Sequence, residues 1–158
     1  MPSKPSKQED AIAAKLQDIE WRWADEDDDA LSILEERIAN AGRALSLITY
    51  SDLVRSVKFT MPTMNGGKPF EIVVHNWTEL DRALIGDFLG LVSARSFKKA
   101  HFMASALVVS KGEYKPSPHF FQWMQTLDVL PDLKDDTVLA FWADQVNKAH
   151  QWYRMHSA

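Results

Sequence analysis

The 158-residue chain has no cysteine, which excludes disulfides, thiolate metal sites and cysteine nucleophiles. Glycine is scarce, with six residues, and no serine stands between glycines at the spacing of a nucleophile elbow. The nearest approach to a phosphate loop, Asn65-Gly66-Gly67-Lys68, lacks the first glycine and the Ser/Thr after lysine. It also precedes an extended run rather than a helix, so it reads as a turn. No apolar run approaches the ~20 residues needed to span a bilayer. The polar opening MPSKPSKQED has no apolar signal core behind it, so a cytoplasmic protein without membrane contact is expected. The histidines His75, His101, His119, His150 and His156 make no metal-ligand spacing and no HExxH motif, so no metal, cofactor or catalytic residue is assigned. The acidic pairs Asp27-Asp28 and Asp135-Asp136 stand at helix starts, where capping accounts for them without acid–base work.

What is present is aromatic and apolar. Hydrophobic residues make up 46% of the chain, with six Trp and eight Phe, enough for one core rich in ring area. Residues 1–9 are expected to form a flexible arm and residues 10–158 a single domain. The net charge of -4 hides an asymmetry. Residues 1–42 carry five Lys/Arg against eleven Asp/Glu, giving -6; residues 43–127 carry ten against six, giving +4; the remainder carries three against five, giving -2. A basic middle between acidic flanks points to an anionic partner for the middle segment.

Ile12, Leu16, Ile19 and Trp23 recur at helical spacing from Asp10. The run DEDDD then precedes a second helical stripe, Leu31, Leu34, Ile38 and Ala41, with Gly42 as its expected C-cap. Thr49 with Asp52, and Thr78 with Asp81, have the spacing of capping boxes. They predict helices from about Tyr50 to Val57 and from about Glu79 to Ser93. SARSFKKAH follows as a basic connector, Phe102 to Ser110 as a buried strand, and KGEYK as its turn. Pro116 and Pro118 stop the pairing, HFFQWMQTL reads as a short helix, and Asp136 to Arg154 as the last one, with Val138, Trp142, Val146, Ala149 and Tyr153 on one face. This order predicts a mainly α fold with a small β-hairpin: a winged-helix-like core with extra N- and C-terminal helices.

ITYSDLV, DRALIGDFLG and the strand ending in Val108-Val109 resemble the DNA-binding part of the alkyltransferase-like repair proteins. The resemblance implies a DNA-entering helix on which Arg82 matches the family's arginine. The reactive Pro-Cys-His-Arg motif is absent, with Phe102 to Ser105 near its place, so alkyl transfer is not implied. SALVVSK with FWADQVNKAHQWY is similar to small uncharacterised bacterial proteins that bring no activity.

Arg95, Lys98, Lys99 and His101 fall close together around Phe97, with Lys111, Tyr114 and Lys115 at the turn. With Arg82 these supply the candidate nucleic-acid-binding residues: cations for phosphate and a tyrosine to stack on a base. The expectation is a non-enzymatic accessory or regulatory protein that binds nucleic acid through the basic connector and wing. The alternative is a protein–protein adaptor or dimerisation module, a homodimer among its forms, of a kind suited to phage or plasmid conflict. Trp21, Trp23, Trp142 and Trp152 on the terminal helices favour that alternative.

Overall fold

A computed structural model describes residues 6–156, in which six α-helices, three short 3-10 turns and one two-stranded sheet alternate. Helix α1 (Lys7–Gln17) starts earlier than expected. Ser6 Oγ accepts from the Glu9 N–H, and the Glu9 carboxylate accepts from the Ser6 N–H, each at 3.0 Å. This reciprocal cap takes residues 6–9 out of the expected arm; residues 1–5 lie outside the described residues. Ile12 and Leu16 are buried as the stripe requires, but Trp23 is buried from beyond the helix, as the residue that precedes a 3-10 turn at Ala24–Glu26.

Helix α2 (Asp28–Arg43) buries Leu31, Leu34 and Ile38. Its cap Asp27 accepts from the Ala30 N–H at 3.0 Å and the Thr60 N–H at 2.6 Å. Gly42 is not the C-cap. It lies inside the helix, where a Cβ would stand 2.4 Å from the Tyr153 ring, and Ala44 takes the cap position. Close approach of the helix that carries Tyr153, not a left-handed turn, is what requires a glycine at that point.

Both threonines cap their helices, but only the second completes the reciprocal box that the spacing predicts. Thr49 accepts from the Asp52 N–H at 3.1 Å and opens α3 (Tyr50–Val54), shorter than expected. Thr78 and Asp81 form the full reciprocal box of α4 (Glu79–Ala100). Helix α4 runs through the expected connector: Ser93 to Ala100 has no Gly or Pro to break it, and His101, in a left-handed conformation (φ 62), ends it. Pro118 opens α5 (Pro118–Thr126), and α6 (Asp135–Met155) closes the fold.

The expected strand at Phe102–Ser110 is corrected in two respects. Residues Ala104–Leu107 form a 3-10 turn, and only Val108–Val109, β2, is extended. β2 pairs in parallel with β1 (Ile48–Thr49), Ile48 facing Val108 and Thr49 facing Val109, so this sheet is not a hairpin. The turn after β2 closes through the Ser110 N–H to the Lys115 carbonyl at 2.9 Å and leads into α5 without a return strand. Prolines 116 and 118 lack the donors a return strand needs.

This segment is the partition between two apolar clusters. Phe102, Ala104, Leu107 and Val108 join a core built from α2, α3 and the first half of α4; Met103 and Ala106 join a second one with Ile12, Leu16, Phe97, Phe120, Phe121 and Met124. Being covered on both sides, its backbone needs partners from side chains. The Met103 N–H donates to Gln145 Oε1 (2.7 Å), the Ala104 N–H to Ser96 Oγ (3.0 Å) and the Ser105 N–H to Ser93 Oγ (3.0 Å), while Trp142 Nε1 donates to the Ala106 carbonyl (2.9 Å). α5 supplies Phe120, Phe121 and Met124 to the second cluster, which is why so large an apolar helix follows the turn.

Candidate nucleic-acid interface

The basic residues expected in a connector are side chains of the last turns of α4. Lys98 and Lys99 there offset the negative end of the helix dipole. Arg95 and Lys99 line a groove of about 390 Å³ between α2, α4 and α6, with Glu35, Glu36 and Arg43 on the α2 wall and Trp152 and Tyr153 on the α6 wall. Lys98 is exposed on the same two turns.

Several polar groups in the groove have a partner or a shifted proton equilibrium. Arg95 Nε lies 3.4 Å from Glu35 Oε2. Lys99 Nζ lies 5.6 Å from the centre of the Trp152 ring, within cation–π range. Burial raises the Glu35 carboxyl above its ordinary value, against the pull of Arg95 and Lys99. Burial, with a smaller push from Glu35 and an opposing pull from Arg43, raises Tyr153 to about 12, so its phenol stays protonated. Trp152 stacks on His156 with ring centres 3.9 Å apart and planes 9° from parallel, and His156 Nδ1 lies 2.8 Å from the Trp152 carbonyl. Packing and that hydrogen bond fix an exposed ring at the end of the chain's last helix.

The other candidates lie apart from this groove. Arg82 is exposed in the first turn of α4, about 20 Å from Arg95 along the axis at 1.5 Å per residue. Lys111, Tyr114 and Lys115 are exposed in the turn between β2 and α5, where Lys115 Nζ sits 3.7 Å from Glu113. Two acids of α4 are engaged within the fold. Asp81 closes the capping box, and Asp87 accepts from the N–H groups of Arg22, Trp23 and Ala24 at 3.2, 2.9 and 2.8 Å. Gly90 is where Trp21 docks, since a Cβ would meet the indole at 2.6 Å; Gly86 faces open space.

Sequence reasoning missed Arg43, Glu35 and His156. Arg43 and Glu35 are brought to α4 by tertiary packing and carry no local signal. Trp152 and His156 did carry one, the four-residue spacing that places side chains together on a helix. Among the histidines, His150 Nε2 lies 2.9 Å from the Ser46 carbonyl and His101 Nδ1 3.5 Å from Glu9, each tying separate segments together. Among the described residues no group of three or more His, Asp or Glu side chains is placed to hold a metal ion, and no helix is long and apolar enough to cross a membrane. A larger, open cleft of about 760 Å³ is lined by Glu26, Asp27, Asp28, Asp29, Ser56, Lys58 and Thr60.

Comparison with known proteins gives no match: no family model fits the chain, and neither a curated protein nor a solved structure is significantly similar to it.

Proposed function

We propose that this is a non-enzymatic accessory or regulatory protein that binds single-stranded nucleic acid at the basic end of α4. One observation carries the reading: Arg43, Arg95 and Lys99 converge from two helices on one groove, beside the Trp152–His156 stack. Cations with an adjacent aromatic face are what an unpaired strand requires, phosphates on the former and a base on the latter. Phosphates meet Arg43, Arg95, Lys98 and Lys99, and a base extends the stack from the exposed face of His156. Of the winged-helix resemblance this reading keeps the order of α2, α3 and α4 and dispenses with the wing. Arg82 and the Lys111–Lys115 turn are left as outlying contacts.

The test is fluorescence polarisation of labelled oligo-dT, oligo-rU and a duplex over a salt series. Changing Arg95, Lys98 and Lys99 together to Gln should weaken binding alike for all sequences, because phosphate contacts carry no base identity. The salt slope should flatten by about one unit per phosphate contact removed. Wild-type protein that leaves every probe free at low salt refutes the reading.

The in-fold pairing of Arg95 with Glu35 and of Lys115 with Glu113 favours the second reading, an adaptor or dimerisation module without nucleic-acid contact. A concentration-dependent dimer together with no oligonucleotide binding would establish that reading instead.

A further inference from the structure

Glu35 stands out in the groove because it faces the cations that the proposed function needs. Its side chain is 30% exposed, against 55% for Arg95, and its contact with the guanidinium is a single one at 3.4 Å. Arg95 and Lys99 face it from α4 and Tyr153 from α6; Glu36 and Arg43 lie beside it on its own helix, and His156 lies on Trp152 at the groove's end. Tyr153 is protonated and presents no charge at neutral pH. A phosphate entering between Arg43, Arg95 and Lys99 therefore meets one guanidinium already held by a carboxylate.

We infer that Glu35 is a built-in competitor for the ligand: a phosphate binds the groove by replacing the Glu35 carboxylate on Arg95. The inference rests on the nucleic-acid reading above and names how the same site is regulated. The exchange is favourable because Arg95 can bond two phosphate oxygens in a fork, whereas its contact with Glu35 is long and one-pronged. The displaced carboxylate is left in a half-buried groove beside a phosphate, where like charge and desolvation both favour its protonated form. Binding is thus coupled to proton uptake, and affinity falls as pH rises through the titration of Glu35.

The experiment uses the full chain and labelled oligo-dT at fixed low salt. Glu35→Gln should bind about fivefold tighter than wild type, the scale of one ion pair near a protein surface. Glu36→Gln removes the same charge from the same groove without freeing Arg95, and should gain less. In an Arg95→Gln background the Glu35→Gln gain should vanish, and Glu35→Ala guards against a glutamine that still bonds the guanidinium. Wild-type affinity should decline with pH from above the ordinary carboxylate value of 4.5, and the decline should be shallower in Glu35→Gln. Equal gains for Glu35→Gln and Glu36→Gln, or a gain that survives loss of Arg95, would overturn the inference while leaving the nucleic-acid reading intact, as would wild-type binding that Glu35→Gln leaves unchanged. Absence of binding in all variants would overturn the nucleic-acid reading and the inference with it.

Discussion

Two carboxylates within the fold, Asp87 and Glu35, make opposite uses of the same chemistry. Asp87 takes three consecutive backbone N–H groups, those of Arg22, Trp23 and Ala24, and so fixes the chain that carries Trp23 and Ala24 into the first core. Glu35 takes one flexible guanidinium at a longer distance. A carboxylate bonded to main-chain amides is part of the architecture, because the donors cannot leave without moving the chain. One bonded to an arginine head is exchangeable, because both partners are long side chains with other possible contacts. Asp27, which accepts from the Ala30 and Thr60 N–H groups, is architectural in the same sense, whereas Glu35 in the basic groove is a contact that a ligand can compete for.

Breaking the architectural side should have the largest effect. Asp87→Ala leaves three N–H groups without their charged acceptor and should lower stability by about 3 kcal/mol, a few such bonds at typical worth. Chemical denaturation measures it, and a loss under about 1 kcal/mol would show that water replaces Asp87 without difficulty. Gly42→Ala comes next. The new methyl overlaps the Tyr153 ring at 2.4 Å, on the α2–α6 wall that also forms the groove, so a cost of about 1–3 kcal/mol is expected from overpacking. Because Trp152 is the neighbour of Tyr153, oligonucleotide binding should weaken too, which distinguishes this variant from Asp87→Ala. Thr78→Ala should be milder, about 1 kcal/mol for a lost N-cap, and should leave binding unchanged at temperatures well below the melting point. A binding defect there would mean that the start of α4 contributes to the interface, which would return Arg82 to it.

The parts of this fold that were legible in the sequence were those encoded locally. Thr78 with Asp81 and Thr49 with Asp52 each mark a helix start by chemistry within a few residues, and each helix begins where its signal stands; Pro118, expected only to stop strand pairing, is itself the first residue of α5. Ser6 with Glu9 has the same spacing, yet both fall in the stretch expected to be a flexible arm. The segment from Phe102 to Val109 was not legible, because a continuous apolar run reports burial on all sides and not backbone conformation. Its state is decided by Ser93, Ser96, Trp142 and Gln145, which come from two helices to bond its backbone. Charge alone does not end a helix, and nothing in Ser93–Ala100 disfavours one, so α4 continues through the expected connector. Of the interface, the cations of α4 were visible, but their neighbours Glu35, Arg43 and Trp152 meet them only through packing of α2 and α6.

The smallest expected effect sharpens the comparison most. An ion pair at 3.4 Å invites the view that Glu35 stabilises the fold through Arg95, yet burial, opposed by Arg95 and Lys99, leaves its carboxyl raised rather than lowered. The direction of the proton equilibrium decides between these, since it weighs the attraction against the cost of desolvation in one quantity. A carboxyl whose value is raised by folding binds its proton more tightly in the folded state. Its contribution favours folding below the unfolded value of 4.5 and is lost as pH rises through the folded value. At neutral pH the ionised Glu35 is thus a slight burden on the fold, and its partial exposure keeps the effect within about 0.5 kcal/mol. Glu35→Gln should therefore be as stable as wild type at pH 7 or slightly more so, with the difference vanishing as pH falls below 4.5. Asp87→Asn, by contrast, should be less stable than wild type at pH 7, because the amide offers weaker acceptance to three main-chain donors. Paired denaturation curves at the two pH values measure both. A clear loss of stability in Glu35→Gln at pH 7 would place Glu35 with Asp87 as an architectural acid, and would remove the physical reason for expecting a ligand to displace it.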